Sequence, residues 1–394
     1  MDHIEIRKKF LDFFERNGHK IMLSSSLIPD DKTTLFTGSG MQSMIPYLLG
    51  EPHPMGKRIA DSQKSFRAED IKEIGDNRHT TFFEMLGNWS FGDYWKEEQL
   101  HWVFEFLTSP NQLGIDPNRL YITVFSGEAG IDQDNESIKI WQDIFKSRGI
   151  EAKYVQLGTL EQASQKGVQP GDRIFGYGIK NWWSRFDSPQ SMPVGEPGGP
   201  DSEIFYDFGT THDQEFGEKC HPNCDCGRFL EIGNSVFMEY RKKIEGDFEK
   251  LPQKNVDFGG GLERIVAAVQ NQADIFMTST FEPLRKILPT KILDNKRVAR
   301  IMMDHSRAIA FLISDGLSPS NKDRGYVLRR LIRRTMVHFH QASFGSFGDK
   351  DILGQDFIDI ENLLSAVIDQ YKESYPELDK DLVLKIFNEE NIKY

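Results

Sequence analysis

The stretch SFRAEDIKEIGDNRHTTFFEMLGNWSFGDYWK, residues 65–96, sets Arg67 beside an acid, runs through a polar loop, and returns through His79, Phe82, Phe83, Glu84 and Met85. An outer strand of a plain globular domain has no need to combine an aromatic pair with Arg67, Glu69, Arg78 and His79. The stretch therefore implies a charged ligand.

Length and composition limit what such a ligand can be. At 394 residues the chain exceeds what one core usually serves, which predicts two or three domains. With 38% hydrophobic and 12% aromatic residues it can build real cores, and 27% charged residues is ordinary for a folded chain in water. No apolar run approaches the ~20 residues of a membrane span, and MDHIEIRKKF lacks a signal peptide's apolar core, so a cytoplasmic location is expected. The three cysteines, Cys220, Cys224 and Cys226, fall within seven residues, which argues against a secreted disulfide framework.

Charge is unevenly placed. The net charge is -12, yet Lys296 to His340 holds ten lysines and arginines against three acids. A basic module on an acidic body suits a polyanionic partner for the module alone; the competing reading is a solvated helix face.

The apolar spacing predicts a helix over 5–16, stopped by Asn17-Gly18, and further helices near 97–108 and 135–148. Between them the short runs IMLSSSLI, TLFTG, RLYITVF, AKYVQLG and SEIFYDF alternate with turns, which predicts an α+β fold with a mostly antiparallel sheet flanked by helices. After about residue 285 the pattern is nearly all helical. One helix is expected over 297–314 with Gly316 as its cap, and another from Tyr326, on which Arg329, Arg330, Arg333 and Arg334 form a continuous basic face. The tail from Asp349 to Tyr394 reads as helical and acidic.

Gly259, Gly260 and Gly261 lie between an apparent strand (NVDF) and an apparent helix (LERIVAAV), where a backbone can approach a ligand and a helix start favours anions. The chain has no dinucleotide fingerprint, and GEPHPMGKR misses the P-loop pattern by one residue and by Arg58 at its end.

Taken together, Phe66-Arg67-Ala68-Glu69 with His79, Phe82 and Phe83 resembles the second signature of class II aminoacyl-tRNA synthetases, and GGGLERI resembles the third; GSGMQSMIP with Pro46 is the candidate for the first. The resemblance implies that Arg67 meets the α-phosphate of ATP, Arg264 the γ-phosphate, and Phe83, in preference to Phe82, the adenine. Glu69, His79 and Gly261 complete the nucleotide set, with Mg2+ as the implied metal and Glu69 or another acid helping to hold it. Adenylate formation needs no general base, because the amino acid's carboxylate is already ionised and attacks phosphorus directly, so positioning and charge neutralisation suffice.

Longer strings, RHTTFFEMLGNWSFGDYWK, SEIFYD, EIGNSVFMEY, VDFGGGLERI and DGLSPSNKDRGYVLRRLIRR, resemble the alanyl-tRNA synthetases from about residue 4 to about residue 340. The resemblance implies Asp257 on the substrate ammonium, Asn234 on its carboxylate, and Val236, Gly259 and Trp183 around the methyl group. Glycine and serine differ so little from alanine that discrimination is worth only ~1–3 kcal/mol. It also implies that the helical region reads a wobble pair in the acceptor stem of tRNA(Ala) from the minor groove, with Asn321 as base reader and Arg329, Arg330, Arg333 and Arg334 as phosphate contacts. This sequence departs from the usual bacterial pattern in two places. The loop after Arg67 (AEDIKEIG) is short and lacks a glycine-lysine insertion, and GEPGGPDSEIFYD stands where a cysteine-bearing loop is common. Family members also continue into editing and oligomerisation domains; their absence here reads as a catalytic and tRNA-recognition fragment, expected to be monomeric.

KCHPNCDCGRF offers Cys220, Cys224 and Cys226, with His221 inside and His212 upstream; Cys220, Cys224, Cys226 and His212 make a candidate structural zinc set, against the alternative of reduced thiols in a loop. The expected organisation is an aminoacylation domain over 1–285 and a helical acceptor-stem domain over 286–394. Two rivals stand beside the alanine ligase: an RNA-binding paralogue without catalysis, against which Arg67, Asp257 and Arg264 argue, and an adenylate-forming enzyme that loads a carrier protein, against which the basic helical module argues.

Overall fold

The structure, a computed structural model, describes residues 1–30, 34–186, 188–244, 246–344 and 353–393. Helix α1 (His3–Arg16) opens the chain: Asp2 caps it by accepting from the amide of Glu5 at 2.9 Å, and its apolar positions bury Ile6, Phe10, Phe13 and Phe14. Then come β1 (Lys20–Ile21), α2 (Ile45–Leu48), β2 (Arg58–Phe66), β3 (Phe82–Phe91), α3 (Lys96–Thr108), β4 (Leu120–Phe125) and α4 (Asn135–Ser147). They are followed by β5 (Lys153–Gly158), α5 (Leu160–Lys166), β6 (Asp172–Tyr177), β7 (Trp182–Trp183), β8 (Pro197–Asp207), β9 (Phe229–Lys242) and β10 (Phe248–Gly261). The rest is helical: α6 (Leu262–Val269), α7 (Glu282–Ile287), α8 (Thr290–Asp294), α9 (Lys296–Ser314), α10 (Asp323–Phe344), α11 (Leu353–Tyr371) and α12 (Lys380–Lys393).

The sheet runs β1-β2-β3-β10-β9-β8-β4-β6-β5, with β7 on β8. Its centre is antiparallel, while β1 with β2, β4 with β6, and β5 with β6 are parallel, as expected of the α+β reading. The sheet alternates in chemistry along β10. Val256 and Phe258 join the large apolar cluster with Ile6 and Phe10 of α1 and Leu262 and Ile265 of α6, whereas Asp257 and Gly259 face the other way.

Two runs read as strands are not strands. IMLSSSLI contributes only Ile21 of the two-residue β1, and TLFTG contributes none; side-chain bonds tie these runs down instead: Thr37 Oγ1 donates to the Ser26 carbonyl at 2.7 Å, and Ser24 Oγ accepts from the Lys64 amide at 2.9 Å. The glycine run also differs from its expectation. Gly259, Gly260 and Gly261 lie inside β10, held opposite Gly87, Leu86 and Met85 of β3, and Gly261 is the cap of α6. The ladder to β3 extends the strand through glycines that look like a loop on their own.

By compactness the chain forms two units, each assembled from three segments: Met1–Leu23, Gly40–Gln63 and Met85–Ala273 in the first, and Ser24–Ser39, Lys64–Glu84 and Asp274–Tyr394 in the second. In the second, α9 is central, with Ile301, Met302, Ile309 and Leu312 buried. It ends as the sequence predicts: Gly316 takes a φ of 93°, and the amides of Gly316 and Leu317 return to the carbonyls of Ile313 and Leu312 at 2.9 and 3.0 Å. The acidic tail begins at Asp349, outside the described residues; α11 and α12 lie in its described part.

Candidate active site

Cross-strand register brings together, in the first unit, residues expected around an amino acid. Asp201 of β8 stands opposite Val236 of β9, Val236 opposite Asp257 of β10, and Asp257 opposite Trp89 of β3. Two residues along, Glu203, Asn234, Gly259 and Gly87 form a parallel row. Directly opposed residues of antiparallel strands share a face, so both rows line the side of the sheet away from α1 and α6. Neighbouring side chains cover the glycines of the second row: a Cβ on Gly87 would lie 2.2 Å from the Trp89 ring, and one on Gly259 would lie 2.9 Å from Met85 Sδ. Val236 and Trp89 pack with Met41 and Met44 in one apolar cluster, against which Trp183 is half-buried. Of the five residues expected around the amino acid, Asn234, Val236, Asp257 and Gly259 thus share one face, and Trp183 packs on the apolar cluster beside it.

That face holds polar atoms without partners. Asn234 donates to Asp201 Oδ2 at 3.3 Å, but its carbonyl oxygen has no donor, and neither does that of Asn181, whose amide contacts Asp201 at 2.8 Å, Thr123 at 2.8 Å and Glu203 at 3.1 Å. The Trp89 indole N–H approaches Asp257 without closing a hydrogen bond of ordinary geometry. Burial pushes the Asp257 carboxyl up to about 7, with the indole N–H opposing, and burial likewise raises Asp201 to about 7 against the amides of Asn181 and Asn234. Glu203 is raised by burial and then by the charges of Glu231 and Asp201. A buried acidic surface with unsatisfied acceptors is suited to a small cationic group.

Arg264, on the first turn of α6, pairs with Glu231 of β9 at 3.1 Å; both side chains are about one-third exposed. Glu231 supplies the hard oxygen donor that Mg2+ prefers, which fits the implied metal. The sequence reading missed Glu231, Glu203, Asp201 and Asn181. Glu203 and Asp201 stood in the quoted GEPGGPDSEIFYD, and the signal was their alternation with apolar residues on a strand.

The second unit holds the other residues expected to meet a nucleotide. Arg67 donates from Nε to the Gly38 carbonyl at 3.1 Å, and its guanidinium lies 4.9 Å from the centre of the Phe83 ring. Phe82 is instead fully buried, stacked at 4.1 Å on Phe311 of α9, so Phe83 is the accessible member of the pair. The Arg67 amide is held by the Thr81 carbonyl at 2.9 Å. Asp76 accepts from His79 Nδ1 at 2.5 Å and from the amides of Arg78 and His79; burial opposes its ionisation, but these bonds bring it down to about 2. Glu69 is exposed at the head of a single 3₁₀ turn.

The basic helix is less open than its sequence suggests. Arg329 and Arg333 both pair with the buried Glu390 of α12, at 3.0 and 2.9 Å, and Arg329 also bonds Asn321. Arg334 donates to the Ile71 carbonyl at 2.5 Å, while Arg330 is exposed. Arg307, counted in the basic window, is fully buried beside Phe82, Phe281 and Tyr371. The continuous face is therefore divided, because packing α10 against α12 commits part of its charge.

In the first unit the ligand atoms of His212, Cys220, Cys224 and Cys226 all lie within 4.8 Å of one another. Cys220 Sγ is 3.5 Å from Cys226 Sγ, and Cys224 Sγ is 3.8 Å from His212 Nδ1. Ligands at ~2.3 Å from a tetrahedral Zn2+ are spaced by roughly 3.7 Å. His212 Nε2 donates to the Gly217 carbonyl at 2.9 Å, which leaves the Nδ1 lone pair for a metal. The Cys220 thiol hydrogen-bonds Cys224 and draws it down to about 5, while Cys220 itself is raised. His221 is not in this group, since its Nδ1 meets the Tyr177 hydroxyl at 2.9 Å.

The first unit thus combines a buried acidic face, an arginine at the start of α6 and an antiparallel central sheet. The chain belongs to the class II tRNA synthetases: the family described as tRNA synthetases class II (A) matches residues 5–394. Among curated proteins it is 40% identical to an alanine--tRNA ligase of Treponema pallidum over 95% of this chain and 57% of that protein. It is 39% identical to that of Borrelia hermsii over 99% of this chain and 61% of that protein. The chain thus spans somewhat under two thirds of the length of these relatives. A crystal structure of apo S. aureus histidyl-tRNA synthetase covers 72% of this chain and 75% of that one at 11% identity and a TM-score of 0.37. Among the described residues no helix is long and apolar enough to cross a membrane.

Proposed function

We propose that this chain carries the aminoacylation activity of an alanine--tRNA ligase, forming alanyl-adenylate from alanine and ATP and passing the alanyl group to the terminal ribose of tRNA(Ala). The observation that supports it most is the row Asp201, Val236, Asp257 and Trp89 beside Asn234 with its unpartnered carbonyl oxygen, a surface matched to a small α-amino acid. Asp257 receives the ammonium and the Asn234 amide the carboxylate. Val236, Trp183 and Gly259 leave room for a methyl group and resist larger side chains.

The amino-acid carboxylate attacks the α-phosphorus, forming the mixed anhydride as the bond to pyrophosphate breaks. Arg67 neutralises charge on the α-phosphate, Arg264 binds the γ-phosphate, and Phe83 stacks on adenine once Arg67 leaves its face for the phosphate. His79, fixed by Asp76, together with Glu69 and Gly261, completes the nucleotide contacts. Mg2+ bound with ATP would be held by Glu231 and would counter the phosphate charge. A terminal ribose hydroxyl then attacks the carbonyl carbon and AMP departs.

Residues 1–285 form the aminoacylation domain and 286–394 the part that meets the acceptor stem, with Asn321 as base reader and Arg330, the exposed arginine of the four on α10, as the phosphate contact. Holding of Asn321 by Arg329 supports a fixed rather than mobile reader. His212, Cys220, Cys224 and Cys226 hold a structural Zn2+ that staples the excursion between β8 and β9.

The test is amino-acid-dependent ATP–pyrophosphate exchange with Mg2+ across the twenty amino acids, beside Arg67→Ala. Exchange with alanine, weaker exchange with glycine or serine, and its loss in the variant are expected. A folded protein that binds tRNA but supports no exchange would overturn the catalytic reading.

A further inference from the structure

Asp61, on β2, is fully buried, and neither of its carboxylate oxygens has a hydrogen-bond partner. An acid enclosed this way is a poor core residue, since an uncharged side chain of similar volume would pack there without the desolvation penalty. The strand order sets β2 beside β3 and β3 beside β10, and the charged neighbour that acts on Asp61 is Asp257. Burial and then the Asp257 charge raise the Asp61 carboxyl well above the usual range. Ile59, two residues earlier on β2, packs in the apolar cluster of Trp89 and Val236, so Asp61 lies on the face of the sheet that carries Asp257, and two buried carboxyl groups on that face favour a single negative charge.

An α-ammonium group brings one positive charge and three N–H donors. Asp257 alone balances the charge but leaves donors to be satisfied. The unpartnered acceptors of the first unit include both oxygens of Asp61 and the carbonyl oxygen of Asn234. We propose that Asp61 is a further amino-acid-binding residue, accepting a hydrogen bond from the substrate's α-ammonium alongside Asp257. The inference rests on the amino-acid site proposed above. It assigns a purpose to a carboxyl group that packing does not explain, and it requires no bond to be made or broken.

The experiment compares Asp61→Leu, which removes the acceptor at similar volume, with Asp61→Asn, which keeps one. The readouts are ATP–pyrophosphate exchange and the alanine-induced shift in melting temperature. Asp61→Leu should melt no lower than the parent without alanine, raise the KM for alanine tenfold or more, and change the KM for ATP less than twofold. Asp61→Asn should retain alanine KM within about threefold. Should Asp61→Leu fail to fold, Asp61→Ala is read by the same two measurements. Unchanged alanine KM in the apolar variant, or equal loss of affinity for alanine and ATP, overturns the assignment of Asp61. Absence of alanine-dependent exchange in the parent protein would instead overturn the amino-acid site itself, so the two failures are distinguishable.

Discussion

Asp304 accepts hydrogen bonds from both the amide and the hydroxyl of Thr81, each at 2.7 Å, and Thr81 in turn holds the amide of Arg67 at 2.9 Å. His305 Nδ1 adds a third contact to Asp304 at 2.8 Å, and both Asp304 and His305 are fully buried. A helix in the second half of the chain thereby fixes the backbone of Arg67, the arginine proposed above to meet ATP. Replacing Asp304 by Ala strands two donors and should cost roughly 3 kcal/mol of stability. ATP affinity should fall as well, while alanine affinity in the surviving folded fraction changes little. Denaturant midpoints and separate KM values for the two substrates check this. A variant with normal ATP KM would show that the relay does not position Arg67.

Alanine binding should depend on pH through Asp257, whose carboxyl is raised to about 7 by burial. A raised carboxyl stabilises the free protein fully below its unfolded value, near 3.8, and that contribution is lost as pH rises through about 7. Binding a cation reverses the preference, because it favours the ionised carboxylate. The melting-temperature gain on adding alanine should therefore grow from pH 5.5 to 7.5, and a gain independent of pH in that window would remove Asp257 from the ammonium site.

A Cβ on Gly259 would meet Met85 Sδ at 2.9 Å, so a methyl group there fits only if the Met85 side chain shifts. Gly259→Ala should shift the exchange reaction from alanine toward glycine, by an amount within the ~1–3 kcal/mol available from one methyl group. Comparing kcat/KM for the two amino acids measures it; an unchanged ratio would place the substrate methyl elsewhere.

Arg330 and Arg333 should separate binding from stability. Arg330→Ala removes an exposed charge and should weaken tRNA binding uniformly, lowering the salt slope by about one, with no change in melting temperature. Arg333→Ala takes one of two cations from the buried Glu390 and should lower melting temperature first. Filter binding across salt concentrations, beside thermal melts, distinguishes the two.

The protein as purified should carry one zinc ion per chain, and Cys224→Ser should lose it along with thermal stability. Metal analysis after dialysis that finds no zinc, with melting unaffected by chelator, would leave the cluster as reduced thiols.

Local patterns made much of this readable in one dimension. The Ile6, Phe10, Phe13 and Phe14 stripe encoded α1, Gly316 encoded the end of α9, and the FRAE and GGGLERI strings carried the family, because each depends on neighbours a few residues away. The cysteines and His212 also lie near one another in sequence, and the structure brings their four ligand atoms together.

Other features arise only when distant segments meet. Gly259 became strand rather than loop because Gly87 supplies a ladder partner, and Arg329 and Arg333 were withdrawn from a basic face by Glu390, which the chain reaches only in its last helix. Asp61 carried no local signal at all: an acid on a strand is ordinary until the neighbouring strands bury it and set Asp257 near it. Sequence determines periodicity, caps and motifs, which are short-range. Burial, cross-strand register and the pairing of charges are many-body consequences of packing, and those decided which acids share one buried face of the sheet and which arginines remain open.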